Sequence, residues 1–348
     1  MEATPGLSCF KIHKNGKLSH IQSLKDTPEI FTDGIIGMYS HNTNGKKYLF
    51  TGGFQDNGVS SFRVFENGTF ENVNNISDND SDRYLTGTYP VDGVTLSGNH
   101  YVIVGHRHHK YYKRIDFIKK KDFVYHGDAI SVFKVTKNGE LVPHFTLKDN
   151  EHTKLSGQTR IEILPVDNSK AIVAIGLRDE KSIQLCLLNE KGILLPIGFT
   201  DINFPVYYGL ASQKIDNNYY LLAGSVDSAV KKVFTYKINV EMDQLEKPLL
   251  KHVVCFKFKD EVTQEAIDTS IQNFKDLKTK IPEIIDFEWG KNISTEGHDD
   301  GMTHCFVLSF INEEARDIYL NHQAHIALVE TIKSTLADVF VVDYFGGK

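Results

Sequence analysis

The sequence has few of the residues and segments that mark specialised classes of protein. Its 348 residues include only four cysteines and one tryptophan, and no apolar run approaches the roughly 20 residues needed to cross a bilayer. The cysteines lack C-x-x-C spacing, so we expect neither a disulfide framework nor a zinc site. The amino terminus has no basic segment followed by an apolar one, which argues against a secretory signal. We therefore expect a cytoplasmic protein that does not enter a membrane.

The chain also lacks a strong excess of either charge. Its net charge is −6, so neither nucleic acid nor an anionic membrane is an expected partner. With 41% hydrophobic and 24% charged residues, the composition is that of a folded globular protein. The length suggests about two domains. Phosphate-binding glycine loops, G-x-S-x-G elbows and H-E-x-x-H motifs are all missing from the sequence.

The first positive feature of the sequence is a repeated strand–turn–strand pattern. Three of its five turns carry Asn-Gly, which favours tight hairpins because both residues tolerate a positive φ. The copies are LSCFKIHKNGKLSHI (7–21), VSSFRVFENGTFENV (59–73), ISVFKVTKNGELVPH (130–144), IQLCLLNEKGILLPI (183–197) and KVFTYKINVEMDQLE (232–246).

A second phrase, an apolar strand that ends in glycine, precedes four of these hairpins. Its glycines are Gly53, Gly105, Gly176 and Gly224, which lie 52, 71 and 48 residues apart. The longest interval holds an insertion at about 106–127. A repeat of about 50 residues with four short strands is typical of a β-propeller blade. We predict an all-β propeller over residues 1–246, with about five blades, one of them incomplete.

The pattern changes near residue 247, and a second domain is predicted over 250–348. Apolar residues at helical spacing indicate an amphipathic helix over 262–281, with Thr263 as a plausible start. Further helices are predicted at about 312–321 and 324–337. Strands are predicted at 251–258, 286–291, 303–310 and 338–344. The order strand, helix, strand, strand, helix, strand is that of a ferredoxin-like α+β fold.

Candidate catalytic residues lie in this second domain. Because side chains alternate along a strand, His252 and His304 each share an apolar face of their strand. Tyr319 lies near the end of a helix, and His325 follows the turn into the next. A lone histidine on an apolar face is more often a core residue, but four such groups facing one cavity indicate an active site.

The text KHVVCFKFKDEVT, IPEIIDFEWGKNI, GMTHCFVLSF, YLNHQAHIALVE and VVDYF resembles the stress-responsive dimeric α/β-barrel family, which includes plant polyketide cyclases. The resemblance implies a homodimer through this domain and a small carbonyl compound as substrate, with no cofactor. By matched position it implies His325 as general base, Tyr319 as oxyanion donor, and His252 and His304 as pocket histidines. Where the family has His-Pro-Ala-His, this chain has His-Gln-Ala-His from residue 322, which lacks the proline that would fix the turn.

The first domain resembles lactonase-type propellers, a pattern that carries little information about function. In its insertion, the cluster His106-Arg107-His108-His109 could hold a metal if the alternate residues His106 and His108 converge, although a solvated or substrate-contacting loop is the more common interpretation. The alternating acids Asp78, Asp80 and Asp82 lack the glycine and glutamate of a calcium loop and are interpreted as an inter-blade loop.

Three hypotheses of function follow. The first is a cofactor-independent acid–base enzyme in the second domain, which would catalyse aldol-type cyclisation, isomerisation or a lyase step. The second is a propeller-based, lactonase-like hydrolase with the second domain for dimerisation; Asp56, His108, Asp179 and Asp227 occupy equivalent turns there. The third is a non-catalytic binding or stress protein, because propellers often only bind.

Overall fold

The structure, a computed structural model, describes residues 6–77, 85–107, 128–150, 153–225, 232–239, 248–281 and 283–346. The chain divides into two compact units, Met1–Val240 (unit 1) and Glu241–Lys348 (unit 2). Within the described residues, no helix is long and apolar enough to span a membrane.

Unit 1 consists of antiparallel sheets that follow one another along the chain. A two-stranded sheet comes first, then three four-stranded sheets and a three-stranded one, and in each the strands pair in sequence order. The strands are β1 (Gly6–Ile12) and β2 (Leu18–Lys25); β3 (Ile35–Thr43), β4 (Lys46–Gly53), β5 (Gly58–Val64) and β6 (Phe70–Ser77); β7 (Thr88–Leu96), β8 (Asn99–His106), β9 (Ala129–Val135) and β10 (Leu141–Lys148); β11 (Gln158–Pro165), β12 (Lys170–Leu177), β13 (Ser182–Asn189) and β14 (Leu194–Asp201); and β15 (Val206–Ile215), β16 (Asn218–Ser225) and β17 (Val233–Ile238).

The first four predicted hairpins are confirmed as β1–β2, β5–β6, β9–β10 and β13–β14. The fifth is described only in its first strand, β17, since its second half lies outside the described residues. The β1–β2 hairpin lies beside β6: the Gln22 side chain donates to the Phe70 carbonyl and accepts from the Phe70 N–H.

The Asn-Gly turns differ from the expected form. Only the glycines have a positive φ, +85° at Gly68 and +82° at Gly139. In the first of these turns the Gly68 N–H donates to the Phe65 carbonyl, and Asn67 Oδ1 accepts from the Thr69 N–H. Asparagine therefore serves as a hydrogen-bond acceptor here, and the turn is a type I turn followed by a left-handed glycine.

The apolar cores of unit 1 lie between successive sheets. One core joins β4 and β5 to β7, β8 and β9, and it includes Tyr48, Phe50 and Phe133. A second core joins β11 and β12 to β15 and β16 around Phe204 and Leu221. In both cores a sheet buries a face against the next sheet in the sequence, as layered β-structures do.

Unit 2 has the predicted order of elements. They are β18 (Leu250–Phe258), α1 (Gln264–Lys275), α2 (Leu277–Lys280), β19 (Asp286–Lys291), β20 (His304–Phe310), α3 (Glu313–Asn321), α4 (Gln323–Ile332) and β21 (Leu336–Phe345). Thr263 caps α1 by accepting the Ala266 N–H, as predicted. Helix α4 ends at Ile332 and not near 337, because Leu336 already belongs to the last strand.

The sheet of unit 2 has the antiparallel order β19-β20-β18-β21. The buried residues of β18 alternate as predicted, with His252, Val254, Phe256 and Phe258 on the face covered by helices. That face and the helices enclose a core that includes Phe274, Phe306 and Tyr319. Among the described residues of the unit, none covers the opposite face, and β21 is exposed over most of its length.

The buried imidazoles of unit 1 predict a loss of stability on acidification. The rings of His41 and His100 stack 3.4 Å apart, and burial together with the charge of His41 lowers the pKa of His100 to about 3. Burial also lowers the pKa of His106 to about 3. Below an ordinary pKa of 6.5 the unfolded chain therefore binds protons that the folded chain cannot. Between pH 6.5 and 5, His100 and His106 should each lower the free energy of unfolding of unit 1 by about 2 kcal/mol.

Calorimetry of the full chain from pH 7.5 to 5 should show the unit 1 transition moving to lower temperature. His100→Asn should flatten this dependence, whereas His298→Ala, a change at an exposed loop of unit 2, should not. A unit 1 transition that is independent of pH over this range would contradict the conclusion that His100 and His106 are buried as neutral imidazoles.

Candidate active site

The break between α3 and α4 positions two of the predicted residues. Helix α3 begins at Asn312, whose side chain accepts the Ala315 N–H at 2.9 Å. His322 ends α3 in an extended conformation and caps α4, because its Nδ1 accepts the Ala324 N–H at 3.1 Å. This imidazole cap holds the turn, and it places Tyr319 and His325 on either side of the break.

Tyr319, His325 and His252 line one cavity of about 520 Å³ between the sheet and the helices. The ring centroids of Tyr319 and His325 lie 4.4 Å apart, and those of His252 and Tyr319 lie 5.6 Å apart. Most of the remaining wall is aliphatic or aromatic; it includes Val254, Phe256, Phe274, Leu328, Val329, Ile332, Leu336, Val339 and Val341. The three polar rings therefore meet in a mostly apolar hollow.

His325 has the geometry of a base. Its Nδ1 lies 3.0 Å from the Leu320 carbonyl oxygen, which can only accept, so Nδ1 carries the proton and Nε2 is unprotonated. Burial lowers the pKa of His325, as do the neighbouring imidazoles of His252 and His322, against the opposing effect of that carbonyl. The ring is therefore neutral near pH 7.

Tyr319 has the environment of a hydrogen-bond donor. Its side chain is only 1% exposed, and burial, followed by the charge of Asp343, raises the pKa of its hydroxyl. The phenol is therefore protonated at any physiological pH. A neutral donor in an apolar cavity can stabilise an oxyanion more strongly than it could in water.

His252 is held by two residues that sequence reasoning missed. Its Nδ1 lies 2.6 Å from Asp343 Oδ1, and Arg316 donates to the other oxygen of the same carboxylate. Burial opposes ionisation of Asp343, but the hydrogen bonds and charges of His252 and Arg316 outweigh it, so the pKa of Asp343 is lowered. The carboxylate thus fixes the orientation of the His252 ring, with a proton on Nδ1.

The contact between His252 and Asp343 can be recognised only when the pairing of β18 with β21 is known. Asp343 is directly opposite His252 in the register of β18 and β21. A lone aspartate in an otherwise apolar terminal strand marks the position, but the sequence does not say which residue it faces.

His304, the fourth predicted site residue, does not line this cavity. It pairs with Phe256, whereas His252 pairs with Leu308, so the two imidazoles lie four residues apart along the strands, about 13 Å. The ring packs edge-on against Phe258 and stacks parallel to Trp289 at 6.4 Å. The prediction of the face was correct, but the expectation of one shared cavity fails for His304 because of its place along the strand.

The alternative sites of unit 1 are only partly described. His106 is buried, with Nε2 3.4 Å from Ser131 Oγ, while His108, His109, Asp78, Asp80, Asp82 and Asp227 lie outside the described residues. Asp56 accepts the Asp33 N–H at 2.7 Å, and Asp179 pairs with Arg178 at 2.5 Å. In the described part of the chain, no group of three or more His, Cys, Asp or Glu side chains could hold a metal ion.

The elements of unit 2 define a ferredoxin-like α+β domain with a polar site buried between sheet and helices. The stress responsive A/B barrel domain family (Dabb) matches residues 250–345. A stress-response A/B barrel domain-containing protein of Arabidopsis thaliana (HS1) is 35% identical over 103 residues, which cover 30% of this chain and 94% of that protein. Through its second unit, this chain belongs to the stress responsive A/B barrel domain family.

Two further likenesses cover the same part of the chain. Olivetolic acid cyclase of Cannabis sativa is 28% identical over 95 residues, which cover 27% of this chain and 94% of that enzyme. A crystal structure of a protein from Arabidopsis thaliana is 34% identical and covers 28% of this chain and 96% of its own, with a TM-score of 0.28.

Asp343→Asn tests the network around His252. The neutral amide removes the charged partner of Arg316 and leaves one acceptor oxygen for two donors, His252 and Arg316, so unit 2 should lose about 1–2 kcal/mol of stability. Urea unfolding followed by the fluorescence of Trp289, the one tryptophan in the chain, measures this unit.

Asp338→Asn is the matched control, because it makes the same change on the same strand, where the carboxylate accepts only the neighbouring Val339 N–H from the part of the chain that the structure describes. Equal stability of the two variants would show that the network does not hold the site.

Proposed function

We propose that the chain is a cofactor-independent acid–base enzyme that acts on a carbonyl compound in the cavity of unit 2. The observation that carries this proposal is the pairing of two side chains in one apolar cavity. His325 is a neutral imidazole with an unprotonated Nε2, Tyr319 is a protonated phenol, and their ring centroids lie 4.4 Å apart. The likeness to olivetolic acid cyclase supports chemistry of the cyclase type.

The proposed reaction begins with removal of a proton from the carbon between two carbonyl groups. His325 Nε2 takes the proton, and the negative charge that moves to the carbonyl oxygen is stabilised by the hydroxyl of Tyr319. The enolate carbon then attacks a second carbonyl of the same molecule and forms a carbon–carbon bond. The imidazolium of His325 returns its proton to the new alkoxide, and loss of water completes an aldol-type cyclisation. Isomerisation or a lyase step would begin in the same way.

The walls of the cavity indicate the kind of substrate. Apolar side chains dominate them, and His252 supplies a third polar group with a fixed orientation. A linear poly-β-keto compound with an alkyl tail satisfies both features, since the tail would contact the aliphatic residues while the carbonyl groups reach the three polar rings.

We also propose that the chain forms a homodimer through unit 2. Its four-stranded sheet is open, and its helix-free face exposes Phe340, Val342 and Tyr344. A barrel needs about eight strands before its interior fills with side chains. Two copies of this sheet, face to face, supply eight strands and cover the apolar surface.

For unit 1 we propose a β-propeller-like fold of about five blades. Successive antiparallel meanders bury their faces against one another, as blades do. In this interpretation the first blade contributes two described strands and the last contributes three.

His325→Ala should abolish turnover while leaving the fold intact, since loss of a general base typically costs about 10²- to 10⁴-fold in rate. The assay incubates the full chain with linear β-diketone and β-triketone thioesters of increasing alkyl length and detects loss of water by mass spectrometry. His298→Ala is the control, an exposed histidine of the same unit outside this cavity.

Turnover that survives in His325→Ala but is lost on changing Asp56 or Asp179 would favour hydrolysis or another activity in unit 1. No turnover of any carbonyl probe by the unaltered protein would favour a binding role.

Tyr319→Phe should lower kcat by roughly 10²-fold with a smaller effect on KM, because the hydroxyl donates mainly to the charge that develops in the transition state. The ring, and with it most of the packing against His252 and Phe310, is retained. An unchanged kcat, or a change confined to KM, would assign Tyr319 to the cavity wall alone.

A further inference from the structure

The second imidazole of the unit 2 cavity, His252, has a carboxylate as its partner. The ring is buried, and its Nδ1 lies 2.6 Å from Asp343 Oδ1, so the two side chains form an ion pair when both ring nitrogens carry protons. A hydrogen bond from an imidazole to a buried carboxylate stabilises the imidazolium that forms when the second nitrogen gains a proton, as in the Ser-His-Asp triad. His252 therefore has the environment of a group that holds a proton on Nε2 and releases it.

The carboxylate of Asp343 is itself fixed by a second partner. Arg316, one turn before Tyr319 on helix α3, donates to the carboxylate oxygen that His252 does not contact. Burial raises the pKa of Asp343, but the hydrogen bonds and charges of His252 and Arg316 outweigh burial, so the pKa is lowered. The group that faces His252 is therefore an ionised carboxylate of constant orientation at neutral pH.

The other imidazole of the cavity has a different acceptor. His325 Nδ1 lies 3.0 Å from the Leu320 carbonyl oxygen, which is uncharged. Burial lowers the pKa of His325, and the charge of His252 lowers it further, so protonation of one ring disfavours protonation of the other. Two titratable groups whose environments differ in this way divide the roles of acid and base. The geometry makes His325 the ring that takes a proton and His252 the ring that gives one.

Both imidazoles lie beside the phenol of Tyr319. Its ring centroid is 4.4 Å from that of His325 and 5.6 Å from that of His252, and all three side chains line the same cavity of about 520 Å³. A substrate whose carbonyl oxygen accepts from the Tyr319 hydroxyl is therefore close to both imidazoles. Loss of water uses two such groups, because a leaving hydroxyl needs a proton while a base removes the proton from the neighbouring carbon.

We propose that His252 is the general acid for loss of water, with Asp343 and Arg316 as its positioning residues; this inference rests on the proposed cyclisation in the same cavity. His325 Nε2 removes the remaining proton from the carbon between the two carbonyl groups. That electron pair forms the carbon–carbon double bond, the carbon–oxygen bond breaks, and His252 Nε2 gives its proton to the departing oxygen. The products are an enone and one water, and transfer of one proton from His325 to His252 restores both rings.

The test separates formation of the carbon–carbon bond from loss of water. One probe is a linear β-keto thioester with a further ketone on its chain, and the other is the cyclic β-hydroxy ketone that its aldol reaction forms. The unaltered full chain should convert both to the enone, measured by ultraviolet absorbance and mass spectrometry.

His252→Gln keeps a polar side chain but has no proton to give. This variant should still cyclise the linear probe, so that the β-hydroxy ketone accumulates, and it should dehydrate the supplied β-hydroxy ketone about 10²-fold more slowly or worse. His325→Ala should lose both steps, because each begins with removal of a proton from carbon.

Asp343→Asn should slow dehydration more than cyclisation, since an amide does not stabilise the imidazolium of His252. His298→Gln is the matched control for the histidine variant, because it makes the same change at an exposed histidine of unit 2 that does not line this cavity. Fluorescence of Trp289 shows whether each variant keeps the fold of unit 2.

Unchanged dehydration in His252→Gln, or an equal loss of cyclisation and dehydration in that variant, would overturn this inference and leave the proposed function in place. Cyclisation without loss of water by the unaltered protein would also overturn it. No conversion of either probe by the unaltered protein would contradict the proposed function itself, and this inference with it.

Discussion

The hydrogen bond from His325 Nδ1 to the Leu320 carbonyl is the interaction on which the proposed chemistry depends. It links the end of one helix to the start of the next, so the same contact that shapes the turn also selects the tautomer of the ring. Because Nδ1 must carry the proton, Nε2 is the basic nitrogen. The His322 cap on the Ala324 N–H stabilises this arrangement from the other side of the turn.

The apolar layer between sheet and helices sets the protonation states in the cavity. Burial shifts the pKa of an imidazole downward and that of a phenol upward, and so it leaves His325 and Tyr319 both neutral. The resting cavity therefore holds a base and a donor without burying an ion, and charge develops only when the proton is transferred. His252 differs from them because it is paired with the charged Asp343, whose opposite oxygen is held by Arg316.

Alternation along the strands made much of unit 2 predictable. The faces of β18 and β20 follow from a period of two, and the polar start of α1 follows from capping preferences. The distance between His252 and His304 did not follow, because it depends on the register between two strands, and periodicity does not contain that register. For the same reason Asp343 could not be assigned to His252 before the pairing of β18 with β21 was known.

In unit 1 the hairpins were predictable from their turns, although the form of those turns was not. Asn67-Gly68 could have adopted a two-residue turn with both φ positive, but the Asn67 side chain instead accepts the Thr69 N–H and the glycine alone takes the left-handed conformation. The choice depends on which of two hydrogen-bond patterns the flanking strands permit, and composition does not decide it.

The most direct test of the account is the protonation of His325, measured by nitrogen-15 NMR of the full chain with labelled histidine. The account predicts a neutral ring near pH 7 with hydrogen on Nδ1 and none on Nε2, and these signals should vanish in His325→Ala. A charged ring, or a neutral ring with its hydrogen on Nε2, would contradict it, because no basic nitrogen would then be available for the substrate.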